Sequence, residues 1–469
     1  MKDAFNKIPK VLVFLILTAT VLWNLKPEHL STQGWHLFII FISTIMTIIF
    51  SSMPIGAISM LTLASTVITG TLNTKEALSG FNSKISWMVL LALFVSDTIS
   101  KSGLGKRIAY YFLCKSRNSL VSISYTLIIC EFMLSPAIPS IVARGSGIMY
   151  PIVSSVIDVL LQKPRKKNNI IKSYLIQVCF HSAVITSAIS LTAMAANPLI
   201  VSIANTFGIN ITWSDWFIGS IVPGVITLIM MPLFLFYLLK PDMIDTTEVK
   251  IFAKKQLQLS EKLSINEILI IITLAGLVGF WVLGDFLGIN ATDTILVGFS
   301  ILLVTGVISW DDVISDKESW GIFIWFSVLL MLSGFLVRFG TIDWINYHIN
   351  LIINNADPVV IIPITLITFF YLHYFFVSTT AYVSTLLTPF LIILTNAQVP
   401  PKIAVMTLAS SAIISGGLTH YTIGTAPGYY LVSGMKTKEW CKAGMLVSTA
   451  NILTWFITSS VWWKVIGWY

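Results

Sequence analysis

Hydrophobic positions along this chain run in long blocks separated by short charged stretches. Residues 29–74 carry no Asp, Glu, Lys or Arg, and the same holds for 173–214, 216–239, 358–401, 403–435 and 443–463. A helix crosses the apolar core of a bilayer in roughly 20 residues, so some blocks hold one span and others a span plus a loop. The pattern predicts spans near 10–25, 35–52, 54–71, 85–114, 173–204, 216–239, 264–288, 293–309, 319–345, 402–433 and 442–466. Two further blocks, 118–161 and 358–396, are too long for one span. Pro139, Ser140, Gly145, Ser146 and Gly147 interrupt the first, and Ser378, Thr379, Thr380, Ser384 and Thr385 the second. Each is expected to form two half-helices joined by a polar tip, entering and leaving on one side. Such non-helical backbone is tolerated at membrane depth only where protein or a wet cavity surrounds it.

Composition agrees: 56% of the 469 residues are hydrophobic and 11% charged, against about 25% charged in a soluble domain. The net charge of +8 sits in short connecting segments, a topology signal marking the cytoplasmic side rather than a nucleic-acid footprint. With a cytoplasmic N-terminus, both flanks of the first hairpin, 101–117 and 163–172, lie inside, as do 240–262 and 436–442. Segments 205–215 and 340–357 then lie outside, and the second hairpin opens from there. Asp311, Asp312, Asp316 and Glu318 are acidic yet also inside, but acidic residues weigh little in topology. The apolar run from Lys10 reads as a first span, not a cleaved signal, and no Arg-rich transit segment precedes it, so the expected location is the cell membrane. The four cysteines (Cys114, Cys130, Cys179, Cys441) form no CxxC pair, and no metal or other cofactor is signalled.

The two hairpins repeat one another. Ser140, Ala143 and Pro151 recur as Ser378, Ala381 and Pro389, with 378 − 140, 381 − 143 and 389 − 151 all equal to 238. Lys101-Ser-Gly103 parallels Arg338-Phe-Gly340 at 340 − 103 = 237. Because the hairpins open to opposite sides, the halves are expected to be inverted, the arrangement of secondary transporters with a midplane site. The competing reading is two unrelated Ser/Thr-rich kinks of packed helices.

After each hairpin the chain is interrupted again, at 187–198 and 415–428. Small residues let backbone approach a ligand, and a proline in the first turn suits a restarting helix. A restarting N-terminus offers free N–H groups and a positive dipole end to an anion. The candidate binding residues are therefore Ser140, Ile141, Val142, Arg144, Gly145 and Ser146 in the first tip and Thr192, Asn197 and Pro198 in the first break. Ser378, Thr379 and Thr380 join them from the second tip, and His420, Thr422, Gly424, Thr425, Ala426 and Pro427 from the second break. An Arg fork suits a carboxylate, but Glu131 in the same hairpin is an alternative partner for Arg144. His420 is open to a binding or a structural role, whereas His181 and His373, on apolar helices, read as structural. No GxSxG, HExxH or Walker motif occurs, so neither an enzyme nor a direct ATP-driven pump is expected.

The stretches Pro139–Pro151, Leu191–Pro198, His373–Ala381 and Gly416–Pro427 resemble the divalent anion:sodium symporter family over nearly the whole chain. The likeness is greatest to its citrate/succinate and tartrate/succinate antiporters and 2-oxoglutarate/malate translocators. The resemblance implies an all-α polytopic homodimer with about eleven transmembrane helices and two re-entrant hairpins, an inverted-repeat elevator transporter. It implies scaffold helices and a first interfacial arm in 1–117, a first transport segment in 118–204, scaffold helices and a second arm in 205–357, a second transport segment in 358–433 and a C-terminal helix in 434–469. Family members carry a Ser-Asn-Thr motif in each tip, used for Na⁺ and substrate carboxylates; here the tips read Ser140-Ile141-Val142 and Ser378-Thr379-Thr380. Ile141 and Val142 offer no side-chain oxygen. With Arg144 and His420 as fixed cations, the expectation is sodium-independent exchange of a small dicarboxylate. The alternatives are a Na⁺-coupled di- or tricarboxylate symporter and an anion channel.

Overall fold

The computed structural model describes residues 10–51, 53–162, 168–260, 262–353 and 357–469, and these are helical with no strand. In chain order the α-helices of more than six residues are α1 (Lys10–Trp23), α2 (Thr32–Phe50), α3 (Ile55–Ile68), α4 (Lys84–Ser102), α5 (Leu104–Lys115), α6 (Leu120–Leu134), α7 (Tyr150–Leu161), α8 (Asn168–Ile189), α9 (Ala196–Thr206) and α10 (Trp213–Leu239). There follow α11 (Thr247–Leu259), α12 (Ile265–Leu287), α13 (Ala291–Val304), α14 (Lys317–Arg338), α15 (Thr341–Ile353), α16 (Pro358–Leu372), α17 (Thr379–Asn396), α18 (Pro401–Ile414), α19 (Ala426–Ser433) and α20 (Thr437–Val465). Among the described residues nine helices are long and apolar enough to cross a membrane, and three shorter apolar ones accompany them. The basic positions in 163–167, together with Lys2 and Lys7, lie outside the described residues.

Two expected spans are corrected. Segments 85–114 and 319–345 are each cut by a glycine with left-handed backbone, Gly103 (φ +77°) between α4 and α5 and Gly340 (φ +76°) between α14 and α15. A side chain is disfavoured in that conformation and a helix ends there. Both predicted interruptions form: α6 and α7 flank one tip, and α16 and α17 the other. Both predicted breaks also form, between α8 and α9 and between α18 and α19.

The chain makes two compact units. One takes the chain to Leu90, Leu199–Asn210 and Asp316–Leu408; the other takes Leu91–Pro198, Ile211–Ser315 and Ala409–Tyr469. The core of the first joins Leu37 and Ile45 of α2, Leu63 of α3 and Val328 and Leu332 of α14. Gly80 seats on α14 so closely that a Cβ there would lie 1.9 Å from the Ser327 carbonyl oxygen. The second unit centres on α8, most of which is buried, packed with α10 and in turn α20. Indole groups tie these helices by backbone bonds, Trp216 Nε1 to Ala188 O at 3.0 Å and Trp463 Nε1 to Gly219 O at 2.9 Å.

The repeat reaches further than the hairpins. Thr69-Gly70 after α3 recurs as Thr305-Gly306 after α13, both glycines having positive φ (+66° and +73°). Asn73 and Glu76 then exchange side-chain and backbone bonds, as do Ser309 and Asp312. The spacing is constant: 305 − 69, 306 − 70, 309 − 73 and 312 − 76 all equal 236. The same acids pair with the ends of the long helices, Arg338 with Glu76 at 3.4 Å in the first unit and Lys101 with Asp312 at 3.6 Å in the second. Lys101 and Arg338 are equivalent by the spacing of their glycines, so each acid of one half meets the base of the other. These pairs are exposed and contribute about 0–1 kcal/mol each; they orient more than they stabilise. Gly80→Ala, by contrast, forces backbone apart and should destabilise at the upper end of about 1–3 kcal/mol, read as a fall in apparent Tm of the detergent-purified protein. Gly147→Ala, with open space around its Cβ, is the neutral comparison.

Candidate functional site

The first tip is built by a cap and a widened turn. Pro136 and Pro139 end α6, and Ser140 Oγ accepts the Ala143 N–H at 3.1 Å. The chain then makes a single wide helical stretch, Ala143–Met149, bonded at i to i+5, before α7. Such widened turns recur where side chains must be re-aimed at functional sites. Here the turn sends Arg144 inward and leaves Val142 at the surface, 37% exposed, while Ile141 is buried.

Arg144 has no exposed surface, and all its N–H groups find protein acceptors. Nε donates to Glu131 Oε1. Nη1 donates to Ile138 O (2.7 Å) and Ala193 O (2.9 Å), and Nη2 to Ser187 Oγ (2.7 Å) and Ala183 O (3.4 Å). Of the two partners open to it, carboxylate ligand or Glu131, Arg144 takes Glu131. Its role as a free fixed cation is therefore corrected. It clamps the tip to α8 and to the first break.

The first break is closed in the same way. Asn197 Nδ2 donates to Ser187 O (2.8 Å) and Ser190 O (2.9 Å), bridging the interruption between α8 and α9. Thr192 Oγ1 donates to Pro136 O at 2.8 Å, a second tie to the tip. Thr192, Asn197 and Pro198 are all buried.

The second break lies against the first tip within the same unit. A Cβ on Gly145 would lie 2.5 Å from Thr425 Oγ1, and one on Gly424 would lie 2.8 Å from Val142 Cγ2. Ser146 Oγ and Thr425 Oγ1 are 3.2 Å apart, and Tyr429 OH donates to Gly145 O at 3.0 Å. Thr422 Oγ1 donates to Gly416 O at 2.8 Å, folding the loop back on itself. Thr425 and Ala426 are buried where α19 restarts, while Gly424 and Pro427 are exposed. His420 is half-buried between the rings of Tyr421 and Tyr430 (centroids 5.1 and 4.8 Å), with Nδ1 3.8 Å from Cys441 Sγ. The accessible surface here is thus Val142, Gly147, Gly424, Pro427 and Gly428, edged by Ser140, Ser146 and His420.

The second tip belongs to the other unit. Ser378 caps α17, its Oγ accepting the Ala381 N–H at 3.5 Å. Thr379 is buried and Thr380 half-buried. Below the tip, His373 stacks on Tyr382 (4.3 Å, 7°), whose hydroxyl donates to Phe369 O.

The profile of the family described as "Sodium:sulfate symporter transmembrane region" matches residues 6–469. This chain belongs to that family. Within it, the chain is similar to "Dicarboxylate transporter 1, chloroplastic" of Spinacia oleracea, 35% identical over 467 residues, 98% of this chain and 81% of that protein. It is as similar to "Putative malate transporter YflS" of Bacillus subtilis (strain 168), 35% over 472 residues and 99% of each chain. The fold of this family member also resembles the Alcanivorax borkumensis YdaH transporter, TM-score 0.53 at 13% identity over 87% of this chain and 89% of that one.

Sequence reasoning named the two tips and two breaks of this sodium:sulfate symporter relative but missed Ser187, Ala193 and Tyr429 as their fasteners. Glu131 was the available signal, an acid in an apolar helix before the tip that carries Arg144. Breaking a buried ion pair costs about 3–5 kcal/mol because a charge is left unpaired, while replacing both partners by apolar residues is often near neutral. Arg144→Met should therefore abolish or sharply lower the folded yield, and Glu131→Leu with Arg144→Met should recover much of it, as read by thermal unfolding in detergent.

Proposed function

We propose that this protein is a secondary active transporter that exchanges four- and five-carbon dicarboxylates, 2-oxoglutarate, malate, succinate and fumarate, with citrate and tartrate as further candidates. The observation that carries this reading is the meeting of the first tip with the second break. Val142, Gly145 and Ser146 close on Gly424 and Thr425, leaving Gly424, Pro427 and Gly428 exposed beside the restart of α19. Free N–H groups and the dipole at a helix N-terminus favour an anion. The relatives named for dicarboxylate and malate transport supply the substrate class.

Sodium independence rests on the first tip. Na⁺ needs oxygen ligands, and Ile141 and Val142 provide none from their side chains. The positive field that would replace Na⁺ is assigned to His420 and the start of α19, since Arg144 is already balanced by Glu131. In the second unit, Arg144, Thr192, Asn197 and Pro198 are then positioning residues. In the other, Ser378, Thr379 and Thr380 form a hydroxyl cradle for a carboxylate. On this reading 118–204 and 358–433 move as transport segments against the scaffold of a homodimer in the cell membrane, with the N-terminus cytoplasmic, by an elevator motion.

Proteoliposomes preloaded with malate should take up labelled malate equally in Na⁺ and choline media, and empty vesicles should take up little. Strong Na⁺-dependent uptake into empty vesicles would establish the symporter instead, and flux without saturable counterflow a channel. Thr380→Ala, losing one hydroxyl contact to a carboxylate, should raise KM for malate by about tenfold, the equivalent of a 1.4 kcal/mol loss, with folded yield unchanged.

A further inference from the structure

The second break has further contacts of its own, at the turn Ser415–Gly417. Helices α8 and α20 both pack on the turn Ser415–Gly417, and polar atoms from both are left without partners. Gln177 Oε1, both ring nitrogens of His181, Trp440 Nε1, Ser448 Oγ and Asn451 Nδ2 are buried and make no hydrogen bond among the described residues. Gln177, His181, Trp440 and Ser448 have no exposed surface, and Asn451 has 3%. Buried polar atoms are nearly always satisfied in folded proteins, so a cluster of orphans calls for a ligand.

Gly417 fixes the place. A Cβ built on it would lie 2.5 Å from Ser448 Oγ and 3.0 Å from His181 Nδ1. The hydroxyl and the imidazole therefore flank one glycine. Trp440, Gly444 and Ser448 follow at four-residue spacing and share a face of α20. The backbone at Gly444 touches this same turn, its Cβ position lying 2.7 Å from Gly417 O and 2.5 Å from Leu418 O. The Phe180 ring contacts both His181 (5.0 Å) and Trp440 (5.2 Å), joining the two helices.

The chemistry of the orphans selects the ligand. An indole N–H only donates, a glutamine carbonyl only accepts, and a neutral imidazole does one of each. Turning the Gln177 amide brings no gain, because its nitrogen already reaches Met435 Sδ at 3.6 Å and the swap would set an oxygen on a thioether. An anion would leave the acceptors bare, and a cation the donors. Water gives two bonds and takes two, and buried polar sites with two to four partners hold it.

We propose that Gln177, His181, Trp440, Ser448 and Asn451 line a buried site for ordered water behind the second break. Water can re-form its bonds as a neighbouring turn shifts, whereas a direct protein bond must break. The site thus supports the break on a face that can adapt, and only this last consequence rests on the reading of 415–427 as a substrate segment.

Radiolytic hydroxyl labelling of the protein in nanodiscs tests the site directly, because radicals made from bound water oxidise the side chains beside it. Trp216 is the internal standard, fully buried with its Nε1 bonded to Ala188 O. Trp440 should be oxidised severalfold faster than Trp216; equal rates would overturn the proposal. Ser448→Ala and His181→Leu, made separately, should each slow Trp440 oxidation toward the Trp216 rate. Fast Trp440 oxidation persisting in a variant whose Trp216 stays protected would overturn the assigned lining. Labelling needs no transport, so a failed exchange assay leaves this result standing, and a dry site leaves the exchange reading standing.

Discussion

One buried ion pair sets the geometry of the second unit. Glu131 on α6 and Arg144 in the first tip are both without exposed surface. A buried pair contributes little to stability once desolvation is counted. Its value is directional: the planar fork offers N–H groups in fixed directions. Those directions fasten Ile138 in the tip, Ala183 and Ser187 on α8, and Ala193 in the break. With Arg144 drawn inward, the widened turn exposes Val142 and turns Gly145 and Ser146 toward Gly424 and Thr425. The charge most open to reading as a ligand contact is thus the fastener that shapes the ligand-facing backbone.

The hairpins and breaks were legible because membrane sequences carry few polar residues, and those that interrupt an apolar block have a reason to be there. Ser140, Ser378, Asn197 and Pro427 all sit at interruptions that the structure has. What stayed hidden was partnership. Nothing in the spacing of Arg144 ranks Glu131 above a carboxylate ligand; burial and five satisfied N–H groups do. The cuts at Gly103 and Gly340 were also missed, since the left-handed backbone angle that ends each helix is not written in the hydropathy pattern.

The internal repeat was under-read for a different reason. Its spacing drifts from 236 at the Thr-Gly turns to 237 at Gly103 and Gly340 and 238 at the tips. A single fixed offset catches one block and loses the others. Side chains diverge as well, Asn73 becoming Ser309 and Glu76 becoming Asp312, yet each pair makes the same reciprocal cap. Capping chemistry tolerates such swaps, so the shared backbone outlasts the shared letters.

The division of the chain into units has a consequence for its birth. Each unit takes its opening helices from one half and its later ones from the other, so neither is complete when the first half has left the ribosome. Gly80 waits for Ser327, and Glu76 for Arg338. The early helices must therefore be held in the bilayer with their packing faces unmatched until Asp316–Leu408 has been inserted. Domains usually fold as units in the order of synthesis. Here insertion of the early spans must run ahead of folding, and a chain stopped at its midpoint would leave two unfinished structures rather than one finished half.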